Sequence, residues 1–172
     1  QFEKIQNQVD PKSELYSEAE FYKSVSALKA GHSSGGKYVD NFIADYPESP
    51  YVNRAWLNLA DFQFEKRQYT VAIRSFGNVD QSDISQEEKV KLHYQLGYSY
   101  LMTESLEQAA KEFYQIKDAN NFYGKPASYY WAHIMYLNEN YEAALQGFSK
   151  LNGDPTYSKF IPVYVSHIYY KQ

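Results

Sequence analysis

The feature of this sequence that most constrains its fold is a helix-spaced pattern that returns at intervals of 34 to 37 residues. The stretch from Ala55 to Phe76 contains the pattern once. Apolar residues recur there at three- and four-residue spacing, a short polar segment follows, and the same spacing begins again. Such spacing marks one face of a helix in each half, so we predict two antiparallel helices joined by a tight turn. A hairpin of this kind buries one face only and therefore needs neighbouring copies.

Three further full copies and one half copy keep the same internal frame. In each full copy a first-helix residue stands 16 positions before a second-helix residue, and a phenylalanine follows four positions later. The four phenylalanines are Phe42, Phe76, Phe113 and Phe148. We predict repeats over 16–48, 49–84, 85–122 and 123–155 and a partial copy over 156–172. Together they form a repeat domain over 10–172, preceded by an N-terminal extension over 1–9.

Helix start signals agree with this frame, since residues that cap helix N-termini stand at several copy boundaries. The predicted helices cover residues 11–30, 34–45, 50–66, 69–79, 85–103, 105–117, 124–138, 140–151 and 157–171. The predicted caps are Asp10 with Pro11, Ser49 with Pro50, the capping boxes Ser85 to Glu88 and Ser105 to Gln108, and Asn140.

The copies share a residue signature as well as a frame. They read Trp56-x-x-Leu59-Ala60 with Ala72-x-x-x-Phe76, His93-x-x-Leu96-Gly97-x-x-Tyr100 with Ala109-x-x-x-Phe113, and Ser128-x-x-Trp131-Ala132 with Ala144-x-x-x-Phe148. This signature resembles the tetratricopeptide repeat. The resemblance implies an all-α, right-handed superhelical solenoid of about four antiparallel helical hairpins plus one final helix. Its first helices would line a concave groove, and its small residues would lie where paired helices approach.

The resemblance also implies which residues face the groove. We call the equivalent positions of successive first helices columns. The columns that face the groove are polar in the early copies and rich in tyrosine in the later ones, and tyrosine offers a large contact area with a hydrogen-bonding tip. Leu57, Phe64 and Gln95 fall in or beside the same columns, as do Phe160, Val163 and Tyr170 of the last copy. The residues predicted to form a peptide-binding groove are Asn58, Asp61, Lys91, Tyr94, Tyr98, Tyr129, Tyr130, His133, Tyr136, Tyr164 and His167.

Composition narrows the classes of function. The chain has 172 residues, a formal net charge of −4 and no run of lysine and arginine, so nucleic acid is not expected as a partner. No apolar run approaches the ~20 residues that span a bilayer. The chain has no cysteine, which removes disulfides and thiolate metal sites. We therefore expect a non-enzymatic scaffold without cofactors that binds a protein or peptide.

Two chemical sites compete with this interpretation. Gly31 to Lys37 matches the first seven positions of a phosphate-binding loop, but Tyr38 replaces the hydroxyl residue that holds Mg²⁺, and a helical pattern precedes Gly31. We expect a loop between two helices. His133 and His167 occupy one column of successive first helices, yet no carboxylate accompanies them, so we expect no metal site.

Within the resemblance, some family members clamp a C-terminal carboxylate with lysine and asparagine. Lys23, Asn58 and Lys91 fall in matching columns, but Ala27 and Gln95 replace the other clamp residues, so we treat this match as coincidence.

Self-association is the structural alternative to peptide binding. The last predicted helix lies in an apolar and aromatic segment, FIPVYVSHIYYKQ, that could form a homodimer or pack on further repeats. The segment FIADYPESPYVNRAWLNLADFQF resembles repeat proteins of the bacterial envelope. That resemblance implies a periplasmic or outer-membrane-associated location, with the cytoplasm as the alternative. The start at Gln1 fits either a removed signal peptide or an excised fragment.

Overall fold

The computed structural model describes residues 13–172, and this part of the chain is all-helical and without strands. The helices are α1 (Glu14–Lys29), α2 (Gly35–Asp45), α3 (Val52–Glu65), α4 (Tyr69–Gly77), α5 (Gln86–Met102), α6 (Leu106–Ile116), α7 (Gly124–Leu137), α8 (Tyr141–Ser149) and α9 (Ile161–Lys171). A short 3₁₀ turn, Gln81–Asp83, follows α4. Each predicted helix is found, and α9 departs most, because it begins at Ile161 rather than at residue 157. The predicted extension 1–9 and the cap at Asp10 and Pro11 lie outside the described residues.

The chain divides into two compact units, Gln1–Ile84 and Ser85–Gln172. In the first unit, α1 packs on α2 and α3 packs on α4, and α3 also contacts both α1 and α2. Its core includes Phe21, Val39, Phe42 and Leu59, each at most 6% exposed. The division falls at the boundary between the predicted second and third repeats.

The second unit repeats the same arrangement of neighbours. The helix α5 packs on α6, α7 packs on α8, α6 contacts α7, and α8 contacts α9. Phe113 and Phe148, the repeat phenylalanines, are 0% exposed, and Trp131 and Ala132 lie in the same core. The small residues expected between paired helices are at close contacts: a Cβ atom on Gly97 would lie 3.0 Å from the ring of Phe113.

The turns inside three hairpins have one geometry. Arg67, Glu104 and Glu139 each have a positive φ, at 59°, 59° and 58°. Each lies nine positions before the phenylalanine of its hairpin, and the amide after it donates to a carbonyl five residues back. This is the left-handed ending that closes a helix C-terminus. The structure therefore repeats at the level of backbone conformation as well as sequence.

Two of the predicted caps are confirmed and two are wrong. Ser85 and Glu88 form both hydrogen bonds of a capping box, and Asn140 Oδ1 accepts from the Ala143 amide at 3.3 Å. Ser49 instead lies in the turn before α3, whose N-cap is Tyr51. Ser105 occupies the N-cap position of α6 but makes no side-chain cap bond, because its hydroxyl is turned toward the Thr103 carbonyl, 3.5 Å away.

Candidate functional site

Eight tyrosines and two histidines of the second unit form one connected set of rings, which we call the aromatic surface. Tyr94 and Tyr98 lie on α5, and Tyr98 meets Tyr130 of α7 edge to face, with ring centres 5.7 Å apart. Tyr94 also contacts Tyr123, just before α7, at 5.1 Å. The members of the aromatic surface are Tyr94, Tyr98, Tyr123, Tyr129, Tyr130, His133, Tyr136, Tyr157, Tyr164 and His167.

The same surface continues from α7 to α9. The ring of Tyr164 lies 5.4 Å from His133 and 5.0 Å from Tyr136. The hydroxyl of Tyr136 lies 2.7 Å from Nδ1 of His167 and forms a hydrogen bond with it. Tyr129 extends the surface in a second direction, since it stacks on Tyr157 at 5.1 Å. Rings from α5, α7 and α9 are thus joined without a break.

The buried repeat phenylalanines Phe113 and Phe148 pack against the rings of the aromatic surface. Phe113 stacks on Tyr130 with ring centres 5.3 Å apart and contacts Tyr94 at 6.1 Å. Phe148 stacks on Tyr164 at 5.1 Å, with the ring planes only 14° apart. Aromatic pairs of this kind add about 0.5–1.5 kcal/mol beyond the area that they bury. The second helix of each pair therefore supplies the ring on which first-helix tyrosines rest, and this fixes their orientation.

Burial shifts the pKa of several of these groups in the direction that favours the uncharged form. It raises the pKa of Tyr94 and Tyr129 well above the ordinary value, and the phenols of neighbouring tyrosines add to the effect. Burial also raises the pKa of Tyr130 and lowers the pKa of the His133 imidazole. At pH 7 these side chains thus present neutral hydroxyl and imidazole groups that can donate and accept hydrogen bonds.

Eight of the nine groove residues predicted in the second unit belong to the aromatic surface, and Lys91 does not. Tyr157 and Tyr123 belong to the aromatic surface but were not predicted. Tyr123 stands in a connection, where helical periodicity gives no signal, and Tyr157 lies in the turn before α9 rather than in the helix predicted from residue 157. Gln95 was expected in the groove but is buried at 6% exposure. Lys91 is half-buried on α5.

In the first unit, the predicted residues lie on α3. Asn58 is half-buried and donates from Nδ2 to the carbonyl of Arg54 at 2.7 Å, while Asp61 is half-buried one turn further on. Leu57, expected beside them in an open groove, is 8% exposed. That expectation is wrong, because Leu57 contributes to the interior rather than to a contact surface.

The competing sites have structural explanations. Gly31 has a φ of 74° and ends α1 in the left-handed region, so the loop between two helices is confirmed. Gly35 begins α2 where a Cβ atom would lie 2.7 Å from the Cα atom of Leu28. Gly31 thus serves the turn after α1, and Gly35 serves the close packing of α2 on α1. Lys23, which a carboxylate clamp would need, is 3.2 Å from Glu20.

The histidines have neighbours that explain them without a metal. Residues 13–172 contain no group of three histidine, aspartate or glutamate side chains placed to hold a metal ion. His93 is packed, as expected from its column, and its Nδ1 lies 2.6 Å from Oε2 of Glu112. This hydrogen-bonded pair between α5 and α6 was not predicted, because nothing in the pattern pairs those columns.

Of the described helices, none combines the length and apolarity needed to cross a membrane. Comparison of the chain with models of known protein families found no match. A comparison with curated proteins also found no match.

Proposed function

We propose that this chain is a tetratricopeptide-type repeat protein that binds an extended peptide segment of a partner protein, without catalysis and without a cofactor. The returning sequence frame and the repeated left-handed turns support the repeat assignment. The proposed solenoid would place α5, α7 and α9 side by side as the floor of a groove. Lys91 on α5 would contribute a polar contact.

The observation that carries the proposal is the unbroken aromatic surface. Tyrosine rings lose little conformational entropy on binding, and their hydroxyls can pair with the amides and carbonyls of an extended peptide. Rings already held by Phe113 and Phe148 are preorganised, which lowers the cost of association. A surface of this kind suits a peptide with apolar side chains and an available backbone.

Exposed residues at the start and along the length of α9 extend the area available to such a peptide. Phe160, Val163 and Tyr170 are 54%, 68% and 85% exposed and lie in groove columns of the repeat frame. Large apolar side chains exposed together are typical of interaction sites. We propose that they form the end of the peptide-binding groove at the C-terminal side.

The experiment is a selection of peptides from a random displayed library on the full chain, followed by affinity measurements. Val163→Asp and Tyr170→Ala should each weaken binding of the selected peptides by about tenfold, since loss of a large apolar interface contact costs about 1–2 kcal/mol. Tyr114→Ala is the matched control, because Tyr114 is 59% exposed on α6 and lies outside the aromatic surface. Equal affinities for all variants would contradict the proposal.

Self-association through α9 is a second candidate function. Its support is that α9 buries fully only Ile161 and Ile168 while Phe160 and other large side chains are exposed. Light scattering over a range of chain concentrations would reveal a dimer. If Phe160→Asp and Tyr164→Asp leave a dimer intact, this candidate is lost.

We also propose a periplasmic or outer-membrane-associated location, with the cytoplasm as the alternative. The short resemblance of residues 42–64 to bacterial envelope repeat proteins supports it. Fractionation of cells that produce the full-length parent protein would test it.

A further inference from the structure

The connection after α8 contains the one asparagine of the chain that is followed directly by glycine. The pair is Asn152 and Gly153. The carboxamide of an asparagine can react with the backbone amide nitrogen of the next residue, because the two groups close a five-membered ring. Glycine in the second place favours this reaction, since it has no Cβ atom to hinder the approach of its nitrogen. Asparagine is for this reason among the thermolabile residues.

The fold leaves both reacting groups of this pair free. Asn152 is exposed, and its carboxamide forms no hydrogen bond with another of the residues that the structure describes. The same holds for the amide of Gly153, although the amides on either side of it are bonded. The amide of Asn152 donates to the Ser149 carbonyl at 3.2 Å, and that of Asp154 donates to the Leu151 carbonyl at 3.1 Å. Hydroxide can therefore remove the proton of the Gly153 amide without first breaking a hydrogen bond.

The conformation of Gly153 keeps this nitrogen accessible. Its φ is 80°, in the left-handed region that favours glycine. A Cβ atom built on it would have no other atom within 4 Å, so the space beside the turn is open. Asn152 and Gly153 also lie outside any helix, between the end of α8 and the start of α9. The backbone here is thus free of the helical hydrogen bonds that hold a carboxamide and the next amide apart.

Other asparagines of the described part of the chain are held by hydrogen bonds. Asn53, Asn58 and Asn78 each donate from Nδ2 to a backbone carbonyl, at 3.0, 2.7 and 2.9 Å. The side chains of Asn121 and Asn140 each accept from a backbone amide two or three residues further on, at 3.0 and 3.3 Å. In these five residues a hydrogen bond of the carboxamide must break before the ring can close.

Asn138 is the best internal comparison, because it is also exposed and also follows a helix. The next residue is Glu139, whose side chain hinders its nitrogen. The Glu139 amide also donates to the carbonyl of Tyr136 at 3.0 Å. Asn138 therefore shares the exposure of Asn152 and lacks the free glycine amide.

We propose that Asn152 is a site of spontaneous conversion to isoaspartate. The deprotonated Gly153 nitrogen attacks Cγ of Asn152, a carbon–nitrogen bond forms, and the bond from Cγ to the side-chain nitrogen breaks. Ammonia leaves with a proton taken from water, and a cyclic imide remains. Water then opens the imide: attack at the main-chain carbonyl gives isoaspartate, and attack at Cγ gives aspartate. The net reaction consumes one water, releases one ammonia and needs no oxidant or enzyme.

The position of the turn gives the conversion a structural effect. Isoaspartate routes the backbone through the side-chain carbon of Asn152, which adds one methylene to a turn fixed on both sides. Leu151 before it is 2% exposed in the core, and the Asp154 carboxylate after it pairs with Lys125 at 2.8 Å. The Tyr157 amide donates to the Asp154 carbonyl at 3.1 Å, so the change reaches the aromatic surface. Only this effect on binding rests on the proposed function; the conversion itself does not.

The test incubates the full chain for several weeks in neutral and in mildly alkaline buffer. Proteolytic digestion and mass spectrometry locate each gain of one mass unit, and an isoaspartate-specific carboxyl methyltransferase with a labelled methyl donor quantifies isoaspartate. Conversion at Asn152 should be at least about tenfold faster than at Asn138, which corresponds to a barrier ~1.4 kcal/mol lower. It should also be faster in the alkaline buffer, since hydroxide deprotonates more of the Gly153 amide.

Three variants separate the roles of the two residues. Gly153→Ala adds a Cβ atom in open space and should slow conversion by at least about tenfold. Asn152→Gln keeps a carboxamide but would have to close a six-membered ring, so isoaspartate should not form at this position. The matched control Asn138→Gln should leave conversion at Asn152 unchanged. Circular dichroism checks that each variant is folded.

The chain unfolded in guanidinium chloride measures what the fold contributes. If the turn is as open as the structure shows, the rates at Asn152 in the folded and unfolded chains should agree within about tenfold. A folded chain that reacts more than about a hundredfold more slowly would overturn the proposal. Conversion at Asn152 no faster than at Asn138, or an unchanged rate in Gly153→Ala, would also overturn it. Unchanged affinity of the converted chain for a selected peptide would overturn only the effect on the aromatic surface.

Discussion

Because α7 and α8 approach closely at Gly147, we predict that alanine at this position lowers the free energy of unfolding. A Cβ atom at this position would lie 2.7 Å from the Cβ atom of Ala132 and 3.1 Å from the ring of Trp131. The Cβ atom of Ala132 is fixed to its backbone, so it cannot rotate away. Gly147→Ala must therefore push the two helices apart or distort one of them. The same substitution at Gly36 of α2 meets only flexible side chains, the nearest 3.9 Å away.

Two opposing energies set the magnitude. Alanine is favoured over glycine inside a helix by about 1 kcal/mol; this gain applies in full at Gly147 and in part at Gly36, which lies in the first turn of α2. Overpacking a well-filled core costs about 1–3 kcal/mol, and this cost applies only at Gly147. We expect Gly147→Ala to lower the free energy of unfolding by about 1 kcal/mol and the larger Gly147→Val by about 2 kcal/mol. Gly36→Ala should raise it by about 0.5–1 kcal/mol.

The chain has two tryptophans, which allows each unit to be followed separately. Trp131 reports on the second unit in a Trp56→Phe background, and Trp56 reports on the first in a Trp131→Phe background. Urea denaturation followed by fluorescence gives the free energy of unfolding for each variant. If Gly147→Ala stabilises the second unit as much as Gly36→Ala stabilises the first, the assigned close contact between α7 and α8 is wrong.

Three further predictions concern pH and backbone strain. Burial lowers the pKa of His133 below its ordinary value of 6.5, so the unfolded chain takes up the proton first and stability should fall as pH drops below 6.5. Urea titrations of His133→Gln at several pH values should lack this part of the pH dependence. The same change of unfolding free energy with pH in the variant and the unmodified chain would contradict the prediction. Burial raises the pKa of Tyr94 and Tyr129 above 10.0, so stability should fall as pH rises above that value. Ultraviolet titration of the folded chain should find phenols that ionise at higher pH than free tyrosine, and a curve of free tyrosine alone would contradict this. Glu104→Gly and Glu139→Gly relieve positive φ angles of 59° and 58° and should each raise the free energy of unfolding by about 0.5–1 kcal/mol; a loss of stability would argue against the left-handed turn.

The helices could be predicted from sequence because their signal is local and repeated. Phe76, Phe113 and Phe148 recur in one frame, and each is 2% exposed or less. Helical periodicity alone places such residues on a buried face. The capping box at Ser85 and Glu88 was predictable for the same reason, since both partners lie within one turn.

The parts that sequence did not predict depend on which elements meet in space. Tyr157 lies in a connection and joins the aromatic surface only because the fold brings it onto Tyr129. The pair of His93 with Glu112 links two helices across 19 positions, and no pattern in one sequence couples them. Gln95 shares a helical column with groove residues but is buried, because burial is set by neighbouring elements rather than by the column alone.

Binding of an extended peptide to the aromatic surface can be followed residue by residue with nuclear magnetic resonance. The ¹⁵N-labelled chain is titrated with a peptide selected on it, and the backbone amide shifts are recorded at each step. We expect the shifts to be concentrated at Tyr98, Tyr136 and His167, with those of Tyr114 unchanged. Shifts confined to residues outside the aromatic surface, or spread without a connected surface, would contradict peptide binding at the aromatic surface.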